Sequence, residues 1–379
     1  MTELRIPFNR PSFAGDELEY VRAAVEAGHL SGDGSFTRRC EELLEDVLGV
    51  PRVLLTTSCT HALEAAALLL DVQPGDEVVL PSFTFVSGAN AFALRGAEVV
   101  FADVRPDTLN LDERLLDELV GPRTKAIVPT HYAGVACELD EILATAGRVG
   151  AAVVEDNAHG LFGTYKGRPL GSFGTFAAHS FHETKNVTSG EGGALAITDA
   201  GLVDAAEIVR EKGTNRKQFF RGAVDKYTWV ALGSSYVQSD LLAAFLLAQL
   251  EERERIQMRR AELWARYEDA LRGWARDVDA RLPVVPDHCG QAFHMFHLLL
   301  PSLELRTEVI RRLRALGILA VFHYQPLHLS PVGRELGGRV GQCPVTEDVA
   351  DRLLRLPFYT AMRDSEQDEV IAALLDVAP

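Results

Sequence analysis

No run in this 379-residue chain approaches the roughly 18 consecutive apolar residues that a membrane helix requires, which argues against a membrane-embedded helical protein. Cysteine is scarce. The five present, Cys40, Cys59, Cys137, Cys289 and Cys343, are odd in number, far apart and never spaced as CxxC, so neither a disulfide framework nor a metal site is expected. Positive charge is in deficit: 38 basic against 54 acidic residues leave a formal net charge of −16, which opposes a nucleic-acid backbone as partner and requires that any phosphate be held locally. The one basic stretch, Arg253 to Arg260, contains Glu254, follows Glu251 and Glu252, and has no aromatic residue to stack on a base, so it reads as a solvated helix face. The opening Met1 to Pro7 lacks the basic start and apolar core of a secretory signal, and the cytosol is the expected compartment.

What is present is alternation. Short β-branched and apolar runs at Arg52–Ser58, Glu77–Pro81, Ala97–Val104, Lys125–Thr130, Ala151–Glu155, Thr175–Ser180 and Ala194–Thr198 read as strands. Helical patterns at His61–Leu70, Val86–Leu94 and Leu139–Arg148 lie between them, the signature of an α/β fold. From Leu241 to about Leu271 the chain is rich in Ala, Leu, Glu and Arg, and a long helix is predicted there. Beyond Pro283–Pro286 and Gly290, strand-like and helical pieces at His297–Leu300, Leu303–Leu316, Ile318–Phe322 and Thr346–Leu356 predict a second, smaller α/β unit. Two domains are expected, 1–250 and 251–379, with the ligand site in the cleft between them.

Four segments carry candidate chemistry. Ser180-Phe181-His182-Glu183-Thr184-Lys185-Asn186, followed by Gly190-Glu191-Gly192-Gly193, sets one lysine in a polar, glycine-flanked position just after an apolar run. A lysine that holds an aldehyde cofactor must be partly neutral near pH 7, so its surroundings must lower a pKa that starts near ~10.4. Lys185 is the candidate; a lysine that merely caps a loop is the plainer alternative. Val153-Val154-Glu155-Asp156-Asn157-Ala158-His159-Gly160 ends an apolar run in a carboxylate, and Asp156 there could keep a pyridine nitrogen protonated so that the ring serves as an electron sink. An aspartate ending a strand is also a common cap or turn residue. His159 is placed to meet the ring's phenolic oxygen. Thr56-Thr57-Ser58-Cys59-Thr60-His61-Ala62-Leu63-Glu64 puts small polar residues at a helix start, where free N–H groups and the helix dipole suit a phosphate. In Pro81-Ser82-Phe83-Thr84-Phe85-Val86 an aromatic just past a strand could cover a flat ring, or simply pack in the core.

Together these segments resemble the pyridoxal-phosphate-dependent sugar aminotransferases of the DegT/DnrJ/StrS type, over nearly the whole chain from Asn9-Arg10-Pro11 to Pro357. The 180–186 string, with Lys226-Tyr227-Thr228-Trp229 and Gly233-Ser234-Ser235-Tyr236, is similar to the branch that makes dTDP-4-amino-4,6-dideoxygalactose. The resemblance implies the aspartate aminotransferase fold (fold type I), with a large mixed-sheet domain and a smaller carboxyl-terminal α/β domain. It implies pyridoxal 5'-phosphate as cofactor, carried by Lys185, with Asp156 on the pyridine nitrogen, Phe85 on the ring, and Ser180, Cys59 and Thr60 on the phosphate. His159 stands where the wider family has glutamine. The segment from Gly233 falls where the family reads Gly-x-Asn-Tyr-Arg and reaches the neighbouring subunit's cofactor; here Ser235 replaces the asparagine and Val237 the arginine, so Ser235 is a candidate phosphate contact and the arginine's role is missing. His323-Tyr324-Gln325-Pro326-Leu327-His328 resembles the family's substrate segment and makes His323 and Tyr324 candidate substrate contacts, the alternative being a buried strand with satisfied histidines. The implied reaction moves the amino group of L-glutamate to a nucleotide-linked 4-keto-6-deoxysugar by ping-pong kinetics, in a homodimer with shared active sites. A 3-keto acceptor, another nucleotide, or a non-catalytic regulatory protein of the same fold are the alternatives.

Overall fold

The computed structural model describes residues 4–376; the outermost ends of the two expected domains, residues 1–3 and 377–379, lie outside the described residues. Seven strands form the main sheet: β1 Arg52–Thr56, β2 Glu77–Pro81, β3 Glu98–Ala102, β4 Thr124–Ile127, β5 Ala152–Asp156, β6 Phe176–Ser180 and β7 Gly193–Ile197. Each of the seven predicted strands is present; Glu77–Pro81 matches at both ends, and the others have ends that coincide or shift by up to three residues. The spatial order is β1-β7-β6-β5-β4-β2-β3. Only β7 runs against its neighbours, pairing antiparallel with both β1 and β6, while the remaining pairs are parallel. The carboxyl ends of β1, β2, β5 and β6 therefore share one edge of the sheet, and the amino end of β7 returns to that same edge.

The strands are apolar on both faces because both faces are covered. In β1, Leu54 packs in one core cluster while Val53 and Leu55 pack in another on the opposite side. The first cluster is closed by the helices α3 (Cys59–Leu69) and α4 (Val86–Ala93), whose small residues Ala62, Ala65, Ala66 and Ala67 let α3 lie close to the sheet. The second is closed by α1 (Glu17–Glu26), α2 (Ser35–Leu48) and α5 (Asp240–Glu251).

The long helix predicted from Leu241 to Leu271 is two helices. It breaks at Glu252, where φ is −91° and ψ 10°, between α5 and α6 (Arg253–Asp277). The sequence there has neither Gly nor Pro; the break is imposed by tertiary packing, since Ala243, Leu246 and Leu250 belong to the sheet's core while Leu263, Trp264, Tyr267 and Leu271 belong to a separate one. That separate core is completed by α7 (Leu303–Ala315), α8 (Asp364–Leu375) and the antiparallel pair β8 (His297–Leu299) and β9 (Leu353–Arg355). The predicted piece Thr346–Leu356 divides into a helix, Pro344–Arg352, and β9. Ile6, from the start of the chain, also packs in this core, tied by the Leu319 N–H to its carbonyl at 3.0 Å. Among the described residues no helix is long and apolar enough to cross a membrane.

Candidate active site

At the shared sheet edge lies a cavity of about 540 Å³, walled on one side by residues that follow β1, β2, β5 and β6 and on the other by His294, His323, Tyr324 and Arg355. Ligand-sized clefts span roughly 300–1,000 Å³. Lys185, Asp156, His159, Phe85, Ser180, Cys59, Thr60, His323 and Tyr324 all line it. Ser235 does not; it is exposed at a different cavity, of about 600 Å³, with Arg38, Lys212, Arg216 and Lys217.

Lys185 follows β6 on a tight turn, its N–H donating to the His182 carbonyl at 2.9 Å. His182 is itself pinned by the Thr184 hydroxyl at 2.9 Å. The next residue, Asn186, donates through Nδ2 to Gln257 Oε1 at 2.9 Å and to the Ala292 carbonyl at 2.6 Å, which fixes the backbone on the carboxyl side of the lysine. Among the described residues Nζ has no hydrogen bond or ion pair. Burial pushes its pKa down from 10.5 to about 8; Asp156 pulls it up and Arg355 down. The Cys59 thiol, pushed well above 9 by burial, carries no charge where this amine titrates.

Asp156 ends β5. Its Oδ1 accepts the Ala158 N–H at 3.1 Å, and its Oδ2 accepts nothing from the described residues. Burial raises its pKa, opposed by the Ala158 N–H, Lys185 and His131. The adjacent Glu155 shows the contrast that strand alternation produces. It faces away, fully buried, with His131 Nε2 at 3.0 Å and the N–H groups of Gly171, Phe173 and Gly174 at 2.7–2.8 Å. Burial alone would raise Glu155, yet the His131 contact and these donors leave it lowered. Glu155 is a satisfied structural carboxylate; Asp156 is an unsatisfied one.

His159 stacks on His294, centroids 4.3 Å apart and planes 15° from parallel, and its buried Nδ1 has no hydrogen-bond partner among the described residues. Burial, then the charges of Lys185 and Arg355, push its pKa well below 6.5, so the ring is neutral. His294 is oriented by Asn186: both Nδ2 hydrogens of that amide are used, so Oδ1 must accept and His294 Nδ1 must donate, at 3.0 Å. His323 and Tyr324 reach the cavity from an irregular segment, whereas His328 of the same string is buried and spent on Ser82 Oγ at 2.6 Å and Glu347 at 3.1 Å. The string thus divides: its start faces the cavity and its end is structural.

The fourth wall is the start of α3. Ser58 caps it, Oγ accepting the His61 N–H at 3.1 Å, and Thr60 Oγ1 meets Ser87 Oγ at 2.7 Å. The first turn leaves the N–H groups of Cys59 and Thr60 without intrahelical acceptors. Gly193, the first residue of β7, is pressed against this turn: a Cβ there would lie 2.3 Å from the Ser58 carbonyl carbon and 2.4 Å from Cys59 N. Only glycine permits that approach.

Sequence reasoning missed Arg355 and His294. The signal for Arg355 was a charged residue inside Leu353-Leu354-Arg355-Leu356, an otherwise apolar strand. That for His294 was the paired His294 and His297 in an apolar run. The basic stretch read as solvated is mixed, because Arg260 is buried and bonds the carbonyls of Phe293 at 2.9 Å and His294 at 2.6 Å, anchoring the segment that carries His294.

The arrangement joins an unpartnered, partly neutral amine, a buried carboxylate that lacks a cationic partner, an orphaned histidine nitrogen and a helix start with free N–H groups. Those features fit pyridoxal 5'-phosphate: an aldehyde, a pyridine nitrogen, a phenolic oxygen and a phosphate. The model of the DegT/DnrJ/EryC1/StrS aminotransferase family matches residues 11–375. The chain is 34% identical to the spore coat polysaccharide biosynthesis protein SpsC of Bacillus subtilis (strain 168), over 98% of this chain and 97% of that protein. The aminotransferase TlmJ from Streptoalloteichus hindustanus superposes with a TM-score of 0.88 at 32% identity, covering 99% of this chain and 98% of that one. Spr1654 from Streptococcus pneumoniae, solved in a PLP form, gives a TM-score of 0.90 at 26% identity over 98% of both chains. The chain belongs to the DegT/DnrJ/EryC1/StrS aminotransferase family, and it is a transaminase-class enzyme of fold type I that uses pyridoxal 5'-phosphate.

Proposed function

We propose that this family member transfers the amino group of L-glutamate to C4 of a dTDP-4-keto-6-deoxyhexose, giving 2-oxoglutarate and a dTDP-4-amino-4,6-dideoxyhexose of galacto configuration. The observation that carries the transaminase chemistry is Lys185, whose Nζ has no hydrogen bond or ion pair among the described residues and titrates near 8 in the same cavity as Asp156. The choice of sugar is supported by the 180–186, 226–229 and 233–236 strings, and the polysaccharide pathway in the name of the relative SpsC agrees with a sugar acceptor.

In this reading Lys185 holds the cofactor through Nζ, Asp156 pairs with its ring nitrogen, Phe85 covers one face, and His159 meets the phenolic oxygen. The start of α3 with Cys59, Thr60 and Ser180 holds the phosphate. When bound, pyridoxal 5'-phosphate supplies a carbonyl that accepts an amine and a protonated ring that stores an electron pair. Lys185, with about a tenth of its amine neutral at pH 7, would take the proton from the donor's alpha carbon and pass it to the cofactor's carbonyl carbon, and in the second half of the cycle would move a proton from that carbon to C4 of the sugar. Asp156, buried and with Oδ2 accepting nothing from the described residues, would pair with the ring nitrogen and keep it protonated. Neutral His159 offers a hydrogen bond without adding a second positive charge beside Lys185. His323 and Tyr324 contact the acceptor, and the enclosing walls exclude bulk water.

The same reading makes the enzyme a cytosolic homodimer in which Ser235 and the cavity around it serve the partner's cofactor phosphate. Phe220, Tyr227, Trp229 and Leu232 leave an apolar surface beside it that a second copy would cover. The test is a panel of 4-keto and 3-keto sugar nucleotides offered with glutamate, scored for 2-oxoglutarate release and product stereochemistry. Turnover of the dTDP-4-keto-6-deoxyhexose to the galacto amine is expected; turnover restricted to 3-keto sugars or to another nucleotide would overturn the assignment.

A further inference from the structure

Arg355 lines the Lys185 cavity, and among the described residues it forms no ion pair. Its backbone is fixed by exchange with Val321, donating to that carbonyl at 2.7 Å and accepting its N–H at 3.1 Å. Its guanidinium lies over the Phe8 ring, 4.5 Å from the centroid, and Nη1 donates to His323 Nε2 at 3.2 Å. Nε is buried without a partner, and among the described residues no carboxylate pairs with it. Two more deeply buried arginines are treated differently. Arg210 meets Asp33 and Glu41, and Arg260 spends its donors on main-chain carbonyls.

The neighbours prepare this cation. A guanidinium can only donate, so His323 Nε2 accepts, and the neutral imidazole then carries its proton on Nδ1, which donates to Tyr132 Oη at 3.1 Å. Tyr132 is fully buried and its main-chain N–H is held by Asn110 at 2.8 Å. The guanidinium is thereby aimed by a chain of fixed groups while most of its donor fork stays unspent. Desolvating a cation without an anion is unfavourable, and a planar carboxylate is the group that meets such a fork with two parallel bonds.

Three anions come to this cavity on the proposed reading: the cofactor phosphate, the nucleotide diphosphate and the donor's carboxylate. The phosphate has the start of α3. The diphosphate is separated from the reacting C4 by the hexose ring. The donor's carboxylate is one bond from the carbon that must meet Lys185 Nζ, and the charge of Arg355 is felt at that Nζ. We propose that Arg355 is the anchor for the carboxylate of the amino donor, with His323 and Tyr132 as its positioning residues. This rests on the donor being an amino acid, as proposed above.

The test uses the cofactor-loaded enzyme and the donor half-reaction alone, so it needs no sugar and stands even if every keto-sugar is refused. Calorimetric titration with glutarate, a non-reacting dicarboxylate, and the glutamate concentration dependence of the single-turnover half-reaction are measured for Arg355→Gln and Arg355→Lys. A charge-assisted buried contact predicts about a 100-fold weaker glutarate affinity in Arg355→Gln and about 10-fold in Arg355→Lys, with dTDP affinity changed less than about twofold. Tyr132→Phe, which removes only the acceptor for His323 Nδ1, should raise the half-saturating glutamate several-fold and leave the limiting rate unchanged. Unaltered glutarate and glutamate affinity in either arginine variant, or a loss that falls on dTDP instead, would overturn the assignment. Arg355→Lys keeps a cation on the same strand, so it gives the reading if Arg355→Gln does not fold.

Discussion

Burial of one amine governs the residue scale. In the cofactor-free protein Lys185 loses its proton near pH 8, whereas an exposed lysine holds it to ~10.4. Between those values the folded chain binds fewer protons than the unfolded one, so stability rises with pH across that window as the buried amine becomes neutral. Competitive acylation of the cofactor-free protein should give Lys185 a midpoint near 8. The signs of the neighbours add a sharper check: Asp156→Asn removes an anion and should lower that midpoint, while Arg355→Gln removes a cation and should raise it. Opposite shifts, or none, would mean that the electrostatics of the cavity are misassigned. Asp156→Asn should also cut turnover by about 10²–10⁴-fold, measured under saturating cofactor. The residues legible in the sequence were those that end strands, because a polar side chain after an apolar run is visible in one dimension. Arg355 and His294 were not, because they come from the opposite wall and are brought to the Lys185 cavity only by tertiary packing.

At the scale of elements, function depends on the antiparallel return of β7 against the start of α3. Gly193→Ala would force the Ser58–Cys59 turn away by several tenths of an ångström or more, since both contacts fall far below van der Waals distance. We expect about a tenfold weaker cofactor affinity, read by fluorescence titration, and a thermal midpoint lowered by about 2–6 °C. A variant with unchanged cofactor affinity would show that this turn does not hold the phosphate. The strands themselves were legible because each is a short segment of four or five residues, largely apolar and largely buried. The break at Glu252 was not, because local propensity favours helix throughout and the interruption arises from two cores claiming the two halves.

The whole molecule matters through what one chain leaves unfinished. Ser235 opens onto a cavity separate from that of Lys185, lined by Arg38, Lys212, Arg216 and Lys217 together with Asp33 and Glu211, next to exposed Phe220, Tyr227 and Trp229. Light scattering should report about twice the 41.5 kDa chain mass, and Trp229→Glu should shift the population toward monomer. If sites are shared, mixing Lys185→Ala chains with Ser235→Asp chains should restore about a quarter of the sites, because half of a random mixture is heterodimer and each heterodimer has one intact site. No recovery on mixing would place each site within a single chain. Whether Lys185 carries the cofactor is read most directly by reduction of the cofactor-loaded protein with borohydride, followed by peptide mapping. A pyridoxyl group on Lys185, and none in Lys185→Ala, is expected; the group on any other lysine, or on none, would overturn the role of Lys185.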